Sequence, residues 1–347
     1  MGLRDEILEQ PAAARRQLAS SSAAIDAIAR RLRDEPVDSV VIAARGTSDH
    51  AAIYGQYLLG AMNRLPVALA TPSILSLYGV EPRFGRTLVI GISQSGGSPD
   101  VVGIVAAGRR QGVPTLAITN DPSSPLAEAA EHVVDLAAGP ERAVAATKTY
   151  TTSLLALARL SIALAEPSDE TAATAELAAV PDAIEAALAV EPEVVAIARE
   201  LAGADRCVVL GRGYEYATAR EWALKLKELA QVFADPYSAA DFMHGPIALI
   251  QAGVPVLAIV PDGPTAAGLA DVLGRLGELD ADSIVLSDAA PLRALGRRSI
   301  ALPPGIPEWL RPIVSIVPAQ LYAYHVTVAR GLDPEAPRHL RKVTRTV

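Results

Sequence analysis

The chain of 347 residues has one cysteine and few aromatic side chains. A single cysteine cannot form an internal disulfide, and Cys207 lies inside the apolar run CVVL, which predicts a buried strand residue and not a nucleophile. Aromatic residues make up 4% of the chain, although 50% of it is hydrophobic. This composition favours an α/β protein rich in Ala, Val and Leu over a β-sandwich packed with aromatic side chains.

Long hydrophobic runs and an excess of basic residues are also missing. No uninterrupted apolar run reaches the roughly 18 residues that a membrane span needs, and residues 1–18 contain no apolar signal core. We therefore expect a cytoplasmic protein that does not bind a membrane. The net charge of −8 argues against nucleic acid as the main partner. An anionic ligand would have to be bound by local donors instead of the overall field.

Lysine is rare as well. The chain has four lysines against 27 arginines, and the four are Lys148, Lys225, Lys227 and Lys342. A lysine ammonium is compact and titratable, which a guanidinium cannot imitate. These four positions are candidates for roles that need an ammonium, although a solvated helix face accepts either residue.

A loop rich in serine and glycine follows the apolar run at 88–92. The sequence LVIGISQSGGSPD places Ser93, Gln94, Ser95 and Ser98 where a strand gives way to a helix. The first-turn N–H donors and the dipole of such a helix favour a dianion. The pattern predicts a phosphate-binding loop at 93–98, with an ordinary connection as the alternative.

The chain repeats itself at a constant offset. VVIAARG at 40–46 resembles CVVLGRG at 207–213, and the same shift brings LAITND at 116–121 onto SIVLSD at 283–288. Apolar runs alternate with longer amphipathic stretches in both halves. We predict two α/β units in succession, each with a parallel sheet and right-handed crossovers.

Three loops of the first repeat are expected at one edge of its sheet. Ligands of open parallel sheets lie beyond the carboxyl ends of the strands, where this repeat has the loops 45–51, 93–98 and 118–124. Under the repeat offset, 93–97 corresponds to VPDGP at 260–264, which has no hydroxyl groups and two prolines. We expect one anion site per chain, in the first repeat.

The segment after residue 213 has the periodicity of one long helix. Its apolar residues at i, i+4, i+7 and i+11 predict a stripe that faces the core: Trp222, Leu226, Leu229 and Phe233. The adjacent face carries Glu221, Lys225 and Glu228, whereas Lys227 points away from both this face and the apolar stripe. Salt bridges on a solvated helix are the alternative explanation. So close to the core stripe, we expect partial burial and a candidate acid/base pair in which each group shifts the other's pKa.

His244 is the histidine with the most informative surroundings. It precedes Gly245 and Pro246 at a predicted turn that follows Glu228 along the chain, so the chain can return it toward the helix face. A structural or idle loop histidine is the alternative. His50 and His132 have no partners at metal-ligand spacing, and we expect neither a metal nor a cofactor.

Five short motifs occur in the order in which they occur in the SIS (sugar isomerase) family. They are GTS at 46–48, SQSG at 93–96, ATK at 146–148, LKLKE at 224–228 and HGP at 244–246. The chain resembles this family over essentially its whole length, and specifically the double-SIS isomerase half of glucosamine-6-phosphate synthase. The resemblance implies two tandem flavodoxin-like subdomains, each with a doubly wound parallel sheet.

The domain organisation follows from the repeat, the resemblance and one change in composition. Residues 166–196 are acidic, Ala-rich and interrupted by prolines, which predicts a helical connector with a boundary near Pro192. We predict an N-terminal segment at 1–25, subdomains at 26–165 and 193–332 on either side of a connector at 166–192, and a C-terminal tail at 333–347 that closes the site.

The resemblance also implies roles for individual residues. Substrate binding is implied for Gly46, Thr47, Ser48, Ser93, Gln94, Ser95, Ser98, Val144 and Ala145. Glu228 is implied as the base that moves a proton between C1 and C2, and His244 as the ring-opening residue. Lys225 and Lys342 are implied as partners of the open-chain sugar. The His244 loop commonly completes the neighbouring subunit's site in this family, which implies a homodimer.

Three departures from the synthase pattern bear on the expected reaction. The chain starts without a cysteine-nucleophile domain, so we expect no hydrolysis of glutamine. Where the synthases have an acidic residue and a threonine, this chain has Gly97, Ser98 and Pro99. The tail reads LRKVTRTV instead of the Leu-Ala-Lys pattern of the synthases. In these respects the chain is most similar to glutaminase-free SIS enzymes that deaminate glucosamine 6-phosphate.

The expected activity is therefore conversion of glucosamine 6-phosphate to fructose 6-phosphate and ammonia. A glutamine-independent isomerase or deglycase acting on another amino-sugar phosphate stays open, and so does a non-catalytic sugar-phosphate sensor. The expected ligand is a hexosamine 6-phosphate or a hexose 6-phosphate. A DNA-binding regulator would need a basic helix-turn-helix segment, for which residues 1–38 are too short.

Overall fold

A computed structural model of the chain describes residues 2–20, 22–165 and 167–342. It begins with two short helices, α1 (Leu3–Leu8) and α2 (Gln10–Ala19). By internal contacts the chain divides into two compact units. The first-repeat unit contains 12–141, 148–178 and residues 341 and 342, and the second-repeat unit contains residues 2–11, 142–147 and 179–340. Residues 343–347 of the predicted closing tail lie outside the described residues.

The first-repeat unit is built on a five-stranded parallel sheet with the order β2-β1-β3-β4-β5. Its strands are β1 (Ser39–Ala43), β2 (Val67–Leu69), β3 (Thr87–Ser93), β4 (Thr115–Thr119) and β5 (His132–Asp135). Every residue of β3 and β4 is buried, because helices cover both faces of a parallel sheet. The helices that follow α2 in this unit are α3 (Ala23–Asp34), α4 (Thr47–Asn63), α5 (Ser73–Ser76), α6 (Pro99–Arg110), α7 (Pro125–Ala129), α8 (Lys148–Ala163) and α9 (Pro167–Ala178).

The second-repeat unit has the same sheet topology, with the order β7-β6-β8-β9-β10 and all neighbours parallel. Its strands are β6 (Arg206–Gly211), β7 (Phe233–Ser238), β8 (Pro255–Ile259), β9 (Asp282–Ser287) and β10 (Arg298–Ala301). Its helices are α10 (Val180–Leu188), α11 (Glu191–Leu201), α12 (Glu215–Lys225), α13 (Ala239–Met243), α14 (Ala266–Glu278), α15 (Ala290–Arg293) and α16 (Arg311–Ala329).

The two sheets confirm the predicted fold class of two doubly wound α/β subdomains. The offset between the starts of β1 and β6 equals that between β4 and β9, and it is the offset of the sequence repeat. The strand order is the flavodoxin-like one, in which strands are added first on one side and then on the other side of the first strand of each sheet. The predicted connector contains α9, α10 and the start of α11, and the chain passes from one unit to the other within it, between residues 178 and 179. The exact subdomain boundaries stay a prediction.

The apolar stripe predicted after residue 213 is correct for three residues and wrong for Phe233. Trp222, Leu226 and Leu229 are buried. The helix α12 continues only as a π-helical turn, Leu226–Ala230, and Gln231 then has a left-handed φ of 57°. Phe233 therefore opens strand β7, where its side chain is 83% exposed. A helical periodicity of 3.6 does not extend across the end of the helix.

Cys207 is buried on β6, as predicted, and burial raises the pKa of its thiol to about 12. A thiol with this pKa is protonated at neutral pH and is a poor nucleophile. Among the described helices, none is both long enough and apolar enough to cross a membrane.

Candidate functional site

Three loops of the first-repeat unit lie together at the carboxyl ends of β1, β3 and β4, as predicted. The Arg45 Nε donates to the Asp100 Oδ2 at 2.7 Å, which joins the loop after β1 to the start of α6. The backbone N–H of Asn120 donates to the Gln94 carbonyl at 3.1 Å, and that of Leu126 donates to the Gly96 carbonyl at 3.0 Å. These bonds join the loop after β4 to the loop after β3.

The turn at 93–97 is tight and depends on one glycine. Gly96 has a φ of +60°, and a Cβ atom placed on it would lie 1.9 Å from the Ser124 Oγ. Its N–H donates to the Ser93 Oγ at 3.1 Å, while the N–H of Gly97 donates to the Ser95 Oγ at 3.4 Å. Since both hydroxyls accept from the turn, each still has its own O–H to donate to a ligand.

The helix α6 begins directly after this turn with Pro99, which has no N–H, and the N–H of Val101 donates to the Asp100 Oδ1 at 2.9 Å. Ser98 is the N-cap in an extended conformation and its side chain makes no capping hydrogen bond. Asp100 is buried in the first turn, where an acid would repel a phosphate, but its charge is offset by Arg45. Thr47 and Ser48 occupy the first turn of α4, after Gly46 with a φ of 54°. The loop can supply hydroxyls and the positive end of the α6 dipole to a dianion.

The equivalent loop of the second repeat is occupied by the chain's own acids. The N–H of Asp262 donates to the Asp288 Oδ1 at 3.0 Å. The hydroxyl of Thr265, the N-cap of α14, donates to the Glu308 Oε1 at 3.2 Å. Two donors that an anion would need are thus directed to carboxylates. The expectation of a single anion site per chain fits this arrangement and stays a prediction.

Lys225 lies between two carboxylates on the helix of the second-repeat unit, as the spacing predicted. Its Nζ is 3.3 Å from the Glu221 Oε1 and 2.6 Å from the Glu228 Oε2. The side chains of Lys225 and Glu221 are 1% and 0% exposed. Burial alone would lower the pKa of Lys225, but the two carboxylates outweigh it and raise that pKa above its ordinary value. Lys225 is therefore a permanent ammonium that fixes both acids.

Glu228 is the accessible member of this group. Its side chain is 24% exposed and lies in the π-helical turn, a feature that is frequent at functional sites. Only its Oε2 is engaged by Lys225, and the described residues place no hydrogen-bond donor on its Oε1. The arrangement is a carboxylate held by one oxygen, with the other available to accept a proton. Lys227 is exposed, as predicted.

His244 ends the short helix α13 and is exposed. Gly245 follows with a φ of 150°, a conformation that L side chains rarely adopt, so the predicted turn is present and needs its glycine. Within the described part of the chain, no hydrogen bond or ion pair joins His244 to Glu228. A functional connection between these two residues stays a prediction.

Lys342, predicted to contact the open-chain sugar, donates to the Glu141 Oε2 at 2.9 Å. Glu141 is buried and also accepts from the N–H of Thr149 at 3.1 Å and from its Oγ1 at 2.7 Å. Glu141 was not among the predicted site residues, because a single acid in the loop GPER carries no recognisable pattern. The first-repeat unit thus supplies its own partner for the tail lysine.

The segment 142–147 contains Val144 and Ala145, the first half-buried and the second 2% exposed. Two buried acids of the second-repeat unit were not among the predicted site residues either. One is Glu6, which accepts hydrogen bonds from this segment. The other is Glu215, whose pKa is raised to about 7 by burial, against the hydrogen bonds that it accepts from the Ser315 hydroxyl and the attraction of Arg311.

Comparisons with known proteins agree with this architecture. The family described as SIS domain matches residues 35–163 and 200–330. A glutamine–fructose-6-phosphate aminotransferase (isomerizing) from Pyrococcus horikoshii is 35% identical over 342 residues, which cover 97% of this chain and 56% of the relative. The chain spans about half the length of the curated relatives it matches.

Two solved structures are similar over nearly their whole length. A protein of Silicibacter pomeroyi DSS-3, named for a proposed phosphosugar isomerase activity, has a TM-score of 0.85 and 33% identity, with 96% of this chain and 99% of that chain covered. The C-terminal domain of glucosamine-fructose-6-phosphate aminotransferase from Francisella tularensis has a TM-score of 0.87 and 28% identity, with 95% and 96% covered.

Proposed function

The chain belongs to the SIS-domain family, and from this premise we propose that it is a phosphosugar isomerase that moves a proton between C1 and C2 of its substrate. The observation that carries the proposal is Glu228, whose Oε2 is held by Lys225 at 2.6 Å while its Oε1 has no donor among the described residues. A base that is fixed at one oxygen and open at the other can remove a proton at one carbon and return it at the next.

The substrate that we propose is glucosamine 6-phosphate. The loop at 93–98 binds the phosphate through its hydroxyls and the first turn of α6, and His244 opens the sugar ring. Glu228 then moves the C2 proton to C1, which converts the aldehyde and the C2 amine into a C1 alcohol and a C2 ketimine. Water hydrolyses the ketimine, so that fructose 6-phosphate and ammonia leave. No redox step is needed.

Lys225 has a positioning role in this scheme. Its ammonium remains charged because two carboxylates contact it, and it prevents Glu228 from swinging toward solvent. Glu221 is fully buried behind it and fixes the lysine in turn. We propose that Lys342 acts on the open-chain sugar from the tail. We also propose a homodimer in which the His244 loop completes the neighbouring site, and a cytoplasmic location.

A second activity is supported by the relatives. They are named as glutamine–fructose-6-phosphate aminotransferases (isomerizing), and the identity to one of them is 35% over 97% of this chain. An isomerase that interconverts hexose 6-phosphates would use the same base. Gly97, Ser98 and Pro99 favour the deaminase instead, because they depart from the synthase pattern in the loop that faces the substrate.

The experiment is an ammonia-release screen with hexosamine 6-phosphates. N-acetylglucosamine 6-phosphate and glucose 6-phosphate serve as control substrates, and Glu228→Gln is compared with Lys227→Gln, a matched change at the exposed neighbouring lysine. We expect ammonia only from the free amine and only with an intact Glu228. Interconversion of hexose 6-phosphates without ammonia would favour the second activity. Binding without any turnover would contradict both and leave a sensor.

A further inference from the structure

We propose that Glu6, on the N-terminal helix α1, is a positioning residue for the substrate-binding segment 142–147. The inference rests on the proposed function, which places Val144 and Ala145 of this segment at the sugar. Glu6 itself contacts no substrate in this account. It acts through the backbone that carries those two residues, and all of these residues belong to the second-repeat unit.

The carboxylate of Glu6 is fully buried and is directed at the start of the segment. The N–H of Arg142 donates to its Oε1 at 2.6 Å. The N–H of Ala143 donates to both oxygens, at 3.4 and 3.3 Å. A buried carboxylate is costly unless its oxygens are hydrogen-bonded, and a bond from a backbone N–H to a charged oxygen is stronger than a neutral one. Glu6 therefore holds two consecutive peptide groups.

The other end of the segment, at Thr147, is held by a side chain of α16. Gln320 on α16 donates from its Nε2 to the Thr147 carbonyl at 3.5 Å. Its Oε1 accepts from the Gln10 Nε2 at 2.8 Å, and Gln10 also donates to the Ile7 carbonyl at 3.1 Å. Gln10 and Gln320 are both buried. The contacts of Glu6 and Gln320 thus bracket Val144 and Ala145.

The segment 142–147 needs such contacts because it forms neither helix nor strand. No ladder of backbone hydrogen bonds of a helix or strand runs through it, and buried N–H groups without partners are unfavourable. A substrate contact made by an irregular segment is accurate only when neighbouring groups lock the backbone. Since the carboxylate fixes the two residues directly before Val144, its loss should displace the contacts on the substrate.

The test compares three variants of the full chain. Glu6→Ala removes the acceptor and Glu6→Gln keeps one acceptor oxygen. Asp5→Asn is the matched control, because Asp5 is the exposed neighbour on the same helix and an asparagine oxygen can still accept from the Gly2 N–H, which lies 2.9 Å from the Asp5 Oδ2. Hydrogen exchange of the Arg142 and Ala143 amides reports the hold on the segment. The KM and kcat for glucosamine 6-phosphate report its consequence for the reaction.

We expect Glu6→Ala to speed exchange of both amides about ten-fold or more and to raise KM about ten-fold, with kcat within about three-fold of wild type. Glu6→Gln should lie between Glu6→Ala and wild type, and Asp5→Asn should match wild type. The Glu6→Gln variant also keeps the test decisive if Glu6→Ala does not fold.

Unchanged exchange of both amides in the Glu6 variants would overturn the inference. Faster exchange with an unchanged KM would also overturn it, since the segment would then be held but would not bear on the substrate. A failure of the proposed function looks different, because the wild-type protein itself would then neither bind nor turn over the sugar phosphate. That result would remove the substrate part of the inference, while the exchange rates would still decide whether Glu6 holds the segment.

Discussion

The buried ammonium of Lys225 gives the sharpest stability prediction. Substitution Lys225→Met keeps the length of the side chain and removes the charge between Glu221 and Glu228. Glu221 is 0% exposed and loses the ammonium that lies 3.3 Å from it. Glu228 is 24% exposed, and water compensates part of its loss.

The expected loss follows from these exposures. Removing one partner of a buried ion pair costs about 3–5 kcal/mol, because the other charge stays behind without it. Replacing both partners with neutral groups is often close to neutral. We therefore expect Lys225→Met to lower the free energy of unfolding by about 3–5 kcal/mol. The double variant Glu221→Gln/Lys225→Met should recover to within about 2 kcal/mol of wild type.

Urea unfolding near neutral pH measures these free energies, and the fluorescence of Trp222 is the local probe. Trp222 is buried on the same helix, and a Trp309→Phe background isolates its signal. The control is Lys227→Met, an exposed lysine that should change stability by no more than about 0.5 kcal/mol. A Lys225→Met variant as stable as this control would refute the reasoning. A Glu221→Gln/Lys225→Met variant that is less stable than Lys225→Met would refute it as well.

Three further predictions concern the loops and one buried acid. Ser93→Ala combined with Ser95→Ala should weaken binding of a sugar phosphate by about 1.5–3 kcal/mol per lost hydrogen bond, and unchanged affinity in calorimetry would contradict the phosphate loop. Gly96→Ala should lower the free energy of unfolding by about 1–3 kcal/mol or more. Gly97→Ala should lower it less, because the nearest atom to a Cβ added there is 3.6 Å away. Equal losses in denaturant unfolding would contradict the close approach at position 96. Burial raises the pKa of Glu215 from 4.5 to about 7, so wild-type stability should fall as pH rises through that interval. Glu215→Gln should remove this dependence of stability on pH and should be more stable than wild type above pH 7 by up to about 3 kcal/mol. Denaturant unfolding of both proteins across this pH range measures the effect, and the same pH dependence in Glu215→Gln would contradict the prediction.

The sequence was sufficient to predict the two sheets and the position of the loops. The offset of the sequence repeat reproduces the starts of β1 and β6, because apolar strand cores and their flanking turns are local patterns. The helix face of Glu221, Lys225 and Glu228 followed from i,i+3 and i,i+4 spacing, and the structure joins all three through one ammonium.

Other features depend on long-range contacts and on backbone irregularity. The π-helical turn at Leu226–Ala230 and the reversal at Gln231 move Phe233 out of the helix, which no periodicity indicates. Glu141 meets Lys342 across 201 positions of the chain, and Glu6 meets Arg142 across 136. Such partners share no local pattern, so isolated buried acids could not be recognised before the fold was known.

The central claim is that Glu228 moves the proton between C1 and C2. The most direct measurement is exchange of the C2 proton of glucosamine 6-phosphate in deuterated water, with Glu228→Gln and His244→Ala compared on the cyclic sugar and on an open-chain analogue. Glu228→Gln should bind substrate but lose exchange by about 10²–10⁴ on both. His244→Ala should lose exchange on the cyclic sugar and regain part of it on the analogue. Equal losses by both variants on both substrates would contradict the assigned roles, and full exchange in Glu228→Gln would refute Glu228 as the base.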